Sequence, residues 1–212
     1  MGEFVSMSGV CRASRRDVLK ALEDFAVARG GTLAPAPGGE PFEHLILAGE
    51  DFGPVTVMYP NGFYSWDEAS KHLSEALGAP VISLHIHDGD LWTYVLYRDG
   101  DEIDRFNPIP DYFSGFITPE ERASWSGDAA IVAENWNGID ATSIERYLVT
   151  WNFDDDGPDW AYQTDQRPIG DCWQMLDFMG KLGLRFPEDD QGQATGETYT
   201  FNAEPERHRS KR

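Results

Sequence analysis

Cysteine is scarce in this chain, and long apolar runs are absent from it. The two cysteines, Cys11 and Cys172, are far apart and lack the short spacing of a zinc site or redox pair. We expect both to be free, buried thiols in a reducing compartment. No apolar run approaches the roughly 20 residues of a membrane helix, and the first ten residues do not resemble a secretory signal. We therefore expect a cytoplasmic protein.

Basic residues are also few. The 212 residues include 17 Lys and Arg against 37 Asp and Glu, which gives a net charge of -20. A surface this acidic repels nucleic-acid phosphate and anionic lipid, so we expect neither direct nucleic-acid binding nor membrane binding. The charge favours a cationic partner such as a basic protein. Solubility alone is the competing explanation.

Signatures of common catalytic machinery are missing as well. The chain has no GxSxG elbow, no phosphate-binding Walker loop and no GxGxxG turn opening a helix. Hydrophobic residues make up 41% and aromatic residues 13%, which is enough for a folded core. These features together favour a folded protein without nucleophilic catalysis.

Periodicity and turn residues predict an α+β fold. Helices are predicted at 15–29, 66–77, 129–135 and 172–182, with shorter ones from Pro119 and near 144–151. Strands are predicted at 10–12, 44–48, 55–59, 81–87, 91–98 and 102–106, the last two forming a hairpin. The resulting order, β-α-β-β-α-β plus a hairpin, is typical of a ferredoxin-like sheet with helices on one face.

The predicted domain organisation is simple. We expect residues 1–187 to form one α+β domain, with a sheet-rich half at 1–110 and a mostly helical half at 111–187 packed on the sheet. Residues 188–212 are polar, rich in glycine and basic at the end. They predict a flexible tail, in which 197–201 alone has a strand pattern.

Two histidines alternate along the strand predicted at 81–87. Residues two apart on a strand point to the same side, so His85 and His87 should share a face. With Asp90 in the next turn they form a ligand set suited to zinc or iron. This predicts a metal-dependent hydrolase or oxygenase. The alternative is a strand whose second face carries polar rings and no metal.

A second candidate metal site follows the spacing of a calcium loop. Asn152, Asp154 and Asp156 occupy its first, third and fifth positions, and Gly157 its sixth. Gln163 stands where the loop requires glutamate, so a solvated acidic loop is the favoured interpretation and a calcium site the alternative.

Acidic and aromatic residues are interleaved from Asp88 to Tyr112. Aromatic anchors within a charged rim are typical of protein interfaces, so this stretch predicts a surface for a basic protein partner. The residues predicted to contact the partner are Asp88, Asp90, Trp92, Tyr94, Asp99, Asp101, Asp104, Asp111 and Tyr112. The alternative is a hairpin whose aromatic side chains face the core while its acids face water.

A resemblance rests on four short motifs. They are HDGDLW at 87–92, DRFNP at 104–108, PDY at 110–112 and the helix around Trp173. These blocks resemble a widespread set of uncharacterised bacterial proteins, a likeness that implies no activity. The acidic α+β composition is also similar to that of immunity proteins of bacterial toxin systems.

The sequence thus supports two competing hypotheses. The first is a cytoplasmic, non-enzymatic binding protein of the immunity or inhibitor kind, which engages a basic protein through its acidic and aromatic face. The second is a metal-dependent enzyme centred on His85, His87 and Asp90, with zinc or iron as cofactor.

Overall fold

The computed structural model describes residues 2–152 and 160–203, and an antiparallel eight-stranded sheet organises them. Its strands are β1 (Val5–Val10), β2 (Thr32–Pro35), β3 (Leu45–Gly49), β4 (Val55–Met58), β5 (Val81–His87), β6 (Leu91–Arg98), β7 (Asp101–Phe106) and β8 (Glu197–Asn202). Across the sheet they follow the order β2-β8-β3-β4-β1-β5-β6-β7, each antiparallel to its neighbours.

Five α-helices accompany the sheet in the described residues. They are α1 (Arg15–Ala28), α2 (Trp66–Leu77), α3 (Pro119–Ala123), α4 (Ala129–Asn135) and α5 (Gln174–Lys181). The predicted α+β class is confirmed, and α2 and α4 have the predicted bounds. The helix predicted near 144–151 is wrong, because only short 3-10 turns form at Ala141–Ser143 and Glu145–Tyr147. No helix in the described part of the chain has the length and apolar character needed to cross a bilayer.

Helices α1 and α2 cover one face of the sheet, which we call the front face. The Ser14 hydroxyl caps α1 by accepting from the backbone N–H of Asp17. Gly78, at φ 56°, ends α2 in the left-handed conformation that glycine adopts readily. The apolar stripe of each helix packs on alternate strand residues. Those strand residues are Val10, Leu45, Leu47, Val55, Val57 and Val81.

The back face of the sheet is covered by the chain between α3 and β8. Trp136, Tyr147 and Phe178 are buried there against the aromatic residues of β6 and β7. This part of the chain packs on the sheet, as expected. A mostly helical half at 111–187 is not confirmed, because its short helices and 3-10 turns are joined by long loops.

The sheet extends further than predicted. β1 runs from Val5 to Val10 rather than over 10–12, and β2 was not predicted. β8 lies between β2 and β3, pairing Tyr199 with Leu45 and Phe201 with Leu33. A flexible tail from residue 188 is therefore wrong for 197–202, while 204–212 lie outside the described residues.

Candidate functional site

Beyond α2, the front face of β5, β6 and β7 forms the floor of a cleft. Cross-strand pairing places His85 beside Thr93, and Val95 between Ser83 and Arg105. Side chains alternate across a strand, so the residues between these point into the back-face core. The floor therefore combines the polar side chains of Ser83, His85, Thr93 and Arg105 with the apolar side chain of Val95.

Two chain segments wall this cleft. The start of α2 supplies Trp66 and Asp67 on one side, while Phe113, Ile117 and Trp125 come from the chain after β7. The cavity between them has a volume of about 570 Å³. That volume is in the range of sites that hold small organic ligands.

The His85 imidazole is held from several directions. Its Nδ1 lies 3.0 Å from the Ser6 hydroxyl, and its Nε2 lies 3.4 Å from Nδ1 of His87. The ring stacks on the Trp66 indole with centroids 4.2 Å apart. Burial, reinforced by His87, lowers the pKa of His85 to about 4. His85 is therefore neutral at pH 7, with one ring nitrogen donating and the other accepting.

His87 lies at the mouth of the cleft among aromatic rings. Phe113, Phe4 and Tyr112 contact it, with ring centroids 4.8, 5.1 and 5.8 Å away respectively. A second cleft of about 620 Å³ opens on the other side of these rings and includes Tyr64 among its lining residues. His85, His87 and Trp66 line both clefts and so form the ridge between them.

Asp67 brings a carboxyl group into the first cleft. The hydroxyl of Ser83 donates a hydrogen bond to it. Burial raises the pKa of Asp67, and the like charges of Glu68 and Glu102 raise it further. Within the described residues no Lys or Arg forms an ion pair with Asp67.

Arg105 is the cation on the far side of this cleft, and its neighbours hold it in place. The Arg105 guanidinium lies over the ring of Trp125, 4.3 Å from its centroid. It donates to the carbonyl and hydroxyl oxygens of Ser124 and pairs with Glu102 at 3.4 Å. Arg105 therefore supports the wall that carries Trp125.

The predicted zinc or iron site is only partly assembled. His85 and His87 share a face, as their spacing predicts. Asp90 instead accepts a hydrogen bond from the Tyr112 hydroxyl, 2.5 Å away. Among residues 2–152 and 160–203, no three His, Cys, Asp or Glu side chains are grouped so as to hold a metal ion. The metal-enzyme hypothesis therefore stays a prediction, with two of its three ligands adjacent.

The predicted calcium loop is largely outside the described residues. Asp154 and Asp156 fall within 153–159, so the structure describes only Asn152 of its three candidate ligands. The calcium alternative stays a prediction.

The predicted partner-binding residues do not form one surface, and two of them are wrong. Trp92 is completely buried and Tyr94 is 1% exposed, both in the back-face core. Neither can contact a partner on a folded molecule. Asp104 is half-buried and accepts a hydrogen bond from the Tyr94 hydroxyl at 2.6 Å. It therefore bonds to the back-face core rather than facing a partner.

The remaining acids are divided between the two ends of β6. Asp88 and Asp90 are exposed in the β5–β6 turn, and Asp99 and Asp101 are exposed at the β6–β7 turn. An eight-residue antiparallel strand separates those turns by roughly 25 Å. Tyr112 lies at the first end, bonded to Asp90. The nearby Asp111, bonded to Arg122 at 2.8 Å, belongs to the same end.

Exposed aromatic residues gather at that first end. Phe4 is 45% exposed, Tyr64 67% and Phe113 63%, and all three line the clefts beside His87. Phe116, three residues after Phe113, is 84% exposed. No motif in the sequence predicts a role for these residues. Their one local signal is an apolar ring in a loop without strand or helix periodicity.

Comparison with protein-family models, with curated proteins and with solved structures finds no match to this chain. The resemblance to a widespread bacterial set stays a prediction.

Proposed function

We propose that this chain is a non-enzymatic binding protein of the immunity or inhibitor kind, and that it engages a basic protein partner at one end of its sheet. The observation that supports this most is a group of rings beside His87, of which Phe4, Tyr64 and Phe113 are exposed and Tyr112 is half-buried. We call it the aromatic rim: Phe4, Tyr64, Tyr112 and Phe113, bordered by Asp88, Asp90 and Asp111.

The aromatic rim has the composition of an interface rather than of ordinary surface. Large rings that stay exposed leave much apolar area in contact with water. Contiguous exposed apolar groups commonly mark interaction sites. The two clefts beside His87 offer concave places for partner side chains. A few anchor residues, often aromatic, carry most of the binding energy in protein interfaces.

Charge determines which kind of partner fits this rim. The chain has a net charge of -20, and Asp88 and Asp90 are exposed beside the rings. Such a field accelerates encounter with a basic protein and disfavours an acidic one. The partner we propose is therefore a basic protein that places an apolar or cationic side chain against the rim.

A defined basic peptide tests this proposal. A lysine- and arginine-rich peptide is titrated at low and high salt, with a glutamate-rich peptide of equal length as the comparison. We expect salt-sensitive binding of the basic peptide, with NMR shift changes concentrated at 88–90 and 111–113.

A matched pair of variants makes the test specific. Asp88→Asn with Asp90→Asn should weaken binding several-fold. Asp99→Asn with Asp101→Asn makes the same charge change at the far end of β6 and should leave binding nearly unchanged. Asp88 and Asp99 both have a positive φ, which asparagine tolerates. Equal weakening in both variants would mean non-specific attraction and contradict the proposal.

The competing function, a metal-dependent hydrolase or oxygenase at His85, His87 and Asp90, has narrower support. It rests on the adjacency of the two imidazoles. Elemental analysis of protein purified without chelators separates the two functions. One zinc or iron per chain, lost when His85 and His87 are both changed to alanine, would favour the enzyme.

We also propose a ferredoxin-like core and a cytoplasmic location. The core is supported by the strand order β3-β4-β1-β5 and by the packing of α1 and α2 on the same face. The location is supported by Cys11 and Cys172, which are both buried and free.

A further inference from the structure

Among the charged groups that line the first cleft, the Asp67 carboxyl is the one whose charge the fold balances least. It lies in the first turn of α2, where the helix dipole favours a negative charge. It accepts a hydrogen bond from a neutral group, the Ser83 hydroxyl. The charges that perturb it are those of Glu68 and Glu102, which have the same sign. Asp67 is half-buried, and a carboxylate partly withdrawn from water without a cation is costly.

The residues around Asp67 do not supply the missing positive charge. The ring nitrogens of His85 face the Ser6 hydroxyl and His87 rather than Asp67. Arg105 lines the same cleft, but its guanidinium is engaged by Glu102, Ser124 and the Trp125 ring. The cleft consequently carries a net negative charge.

The walls of the cleft are suited to a cation with an apolar body. Trp66, Trp125 and Phe113 line it. One face of Trp66 is stacked on His85 and one face of Trp125 on Arg105, and the remaining ring surface can attract an ammonium or guanidinium group. The volume of about 570 Å³ admits a small organic molecule or one long side chain. Ser83 and Thr93 add hydroxyl groups on the floor.

We propose that this cleft binds an organic cation, a primary ammonium or guanidinium group on an apolar body. Asp67 is its counter-charge, and Trp66, Trp125 and Phe113 are its walls. This inference deepens the proposed function. It rests on that function in one respect, because a lysine or arginine of the basic partner is one source of the ammonium or guanidinium group. A free amine is the other source.

Three matched small molecules test the charge requirement. They are 2-phenylethylamine, the neutral 2-phenylethanol and the anionic 3-phenylpropionate, each titrated by calorimetry and by tryptophan fluorescence. We expect the amine to bind about tenfold more tightly than the alcohol, as a charge-assisted hydrogen bond implies. The carboxylate should not bind. Measurable binding of the amine and the alcohol with equal affinity would overturn the inference.

A single substitution tests the assigned residue. Asp67→Asn keeps an acceptor for the Ser83 hydroxyl and removes the charge. It should reduce amine affinity about tenfold, to the level of the alcohol, while leaving binding of the alcohol unchanged. Asp99→Asn with Asp101→Asn, at the β6–β7 turn outside the cleft lining, is the control and should bind the amine as the wild type does. Full amine affinity in a folded Asp67→Asn variant would overturn the inference.

The basic peptide separates the two sources and the two proposals. If the peptide binds in an Asp67-dependent way while free amines do not bind, the cation is a side chain of the partner and the inference stands. If free amines bind through Asp67 while the peptide does not bind, the inference stands and the proposed function fails. Peptide binding that depends on Asp88 and Asp90 but not on Asp67, without amine binding, overturns the inference and leaves the proposed function intact.

Discussion

The imidazole of His85 lies flat on the indole of Trp66, with ring centroids 4.2 Å apart and ring planes inclined by 14°. This stack joins the first residue of α2 to the floor of the cleft on β5. It also excludes water from His85, which is 8% exposed. The same contact therefore positions the wall that carries Asp67 and keeps the histidine neutral.

The stability of the fold should depend on pH through His85. Its folded-state pKa of about 4 is below the value near 6.5 of an unfolded histidine. As pH falls, the unfolded chain binds this proton first, so stability present above pH 6.5 is lost between pH 6.5 and 4. The loss attributable to His85 is at most roughly 3 kcal/mol. Urea unfolding at several pH values measures it.

Variants assign that pH dependence to His85. His85→Gln should flatten the slope of unfolding free energy between pH 6.5 and 4, while His44→Gln, in the loop before β3, is the control substitution. A wild-type slope in the His85→Gln protein would show that other groups cause the loss.

β8 should contribute strongly to stability. Phe201 is 9% exposed and contacts the rings of Phe63 and Tyr59, so Phe201→Ala should destabilise the protein by about 3 kcal/mol. Thr200, on the same strand, is exposed, and Thr200→Ala should cost less than about 0.5 kcal/mol. Chemical denaturation measures both. Similar, small effects would mean that residues 197–202 behave as a tail.

The strand errors have a common physical origin. β8 has an alternating pattern in ETYTFN, but it follows a polar, glycine-containing stretch, and the partners that order it come from distant parts of the chain. The predicted first strand begins later than β1 because Ser6 and Ser8 occupy the front face of β1. Ser8 bonds there with the hydroxyls of Tyr59 and Ser70 at 2.7 and 2.6 Å, a network that hydrophobic patterning does not reveal.

Local signals predicted many of the helices and strands and one feature of the site. The bounds of α2 and the shared face of His85 and His87 follow from short-range periodicity. The cleft does not, because Trp66 and Trp125 become opposing walls only when α2 and the chain after β7 fold over the same strands. The prediction that Trp92 contacts a partner is wrong because an aromatic residue beside acidic ones has the same sequence pattern in a core hairpin as in an interface.

The Tyr94 hydroxyl should stabilise the core rather than a complex. It donates to the Asp104 carboxylate at 2.6 Å, and burial raises the pKa of Asp104. Tyr94→Phe removes a donor from a half-buried charge and should cost about 1–2 kcal/mol. A double-mutant cycle with Asp104→Asn should give a coupling energy of at least about 0.5 kcal/mol. An unchanged unfolding free energy in Tyr94→Phe would contradict this assignment.

Replacing Gln174 by methionine should stabilise the protein. Gln174 begins α5, is completely buried, and both polar atoms of its amide lack a hydrogen-bond partner among the described residues. A buried polar group without a partner is costly, and methionine has similar size and helix propensity. We expect Gln174→Met to raise the unfolding free energy by about 1 kcal/mol.

An exposed glutamine provides the control for that gain. Gln163 is exposed, so Gln163→Met should change the unfolding free energy by less than about 0.5 kcal/mol. Chemical denaturation of both variants beside the wild type isolates the effect of the buried amide from that of methionine itself. If Gln174→Met were instead destabilising by more than about 1 kcal/mol, the amide would have to make favourable interactions inside the back-face core.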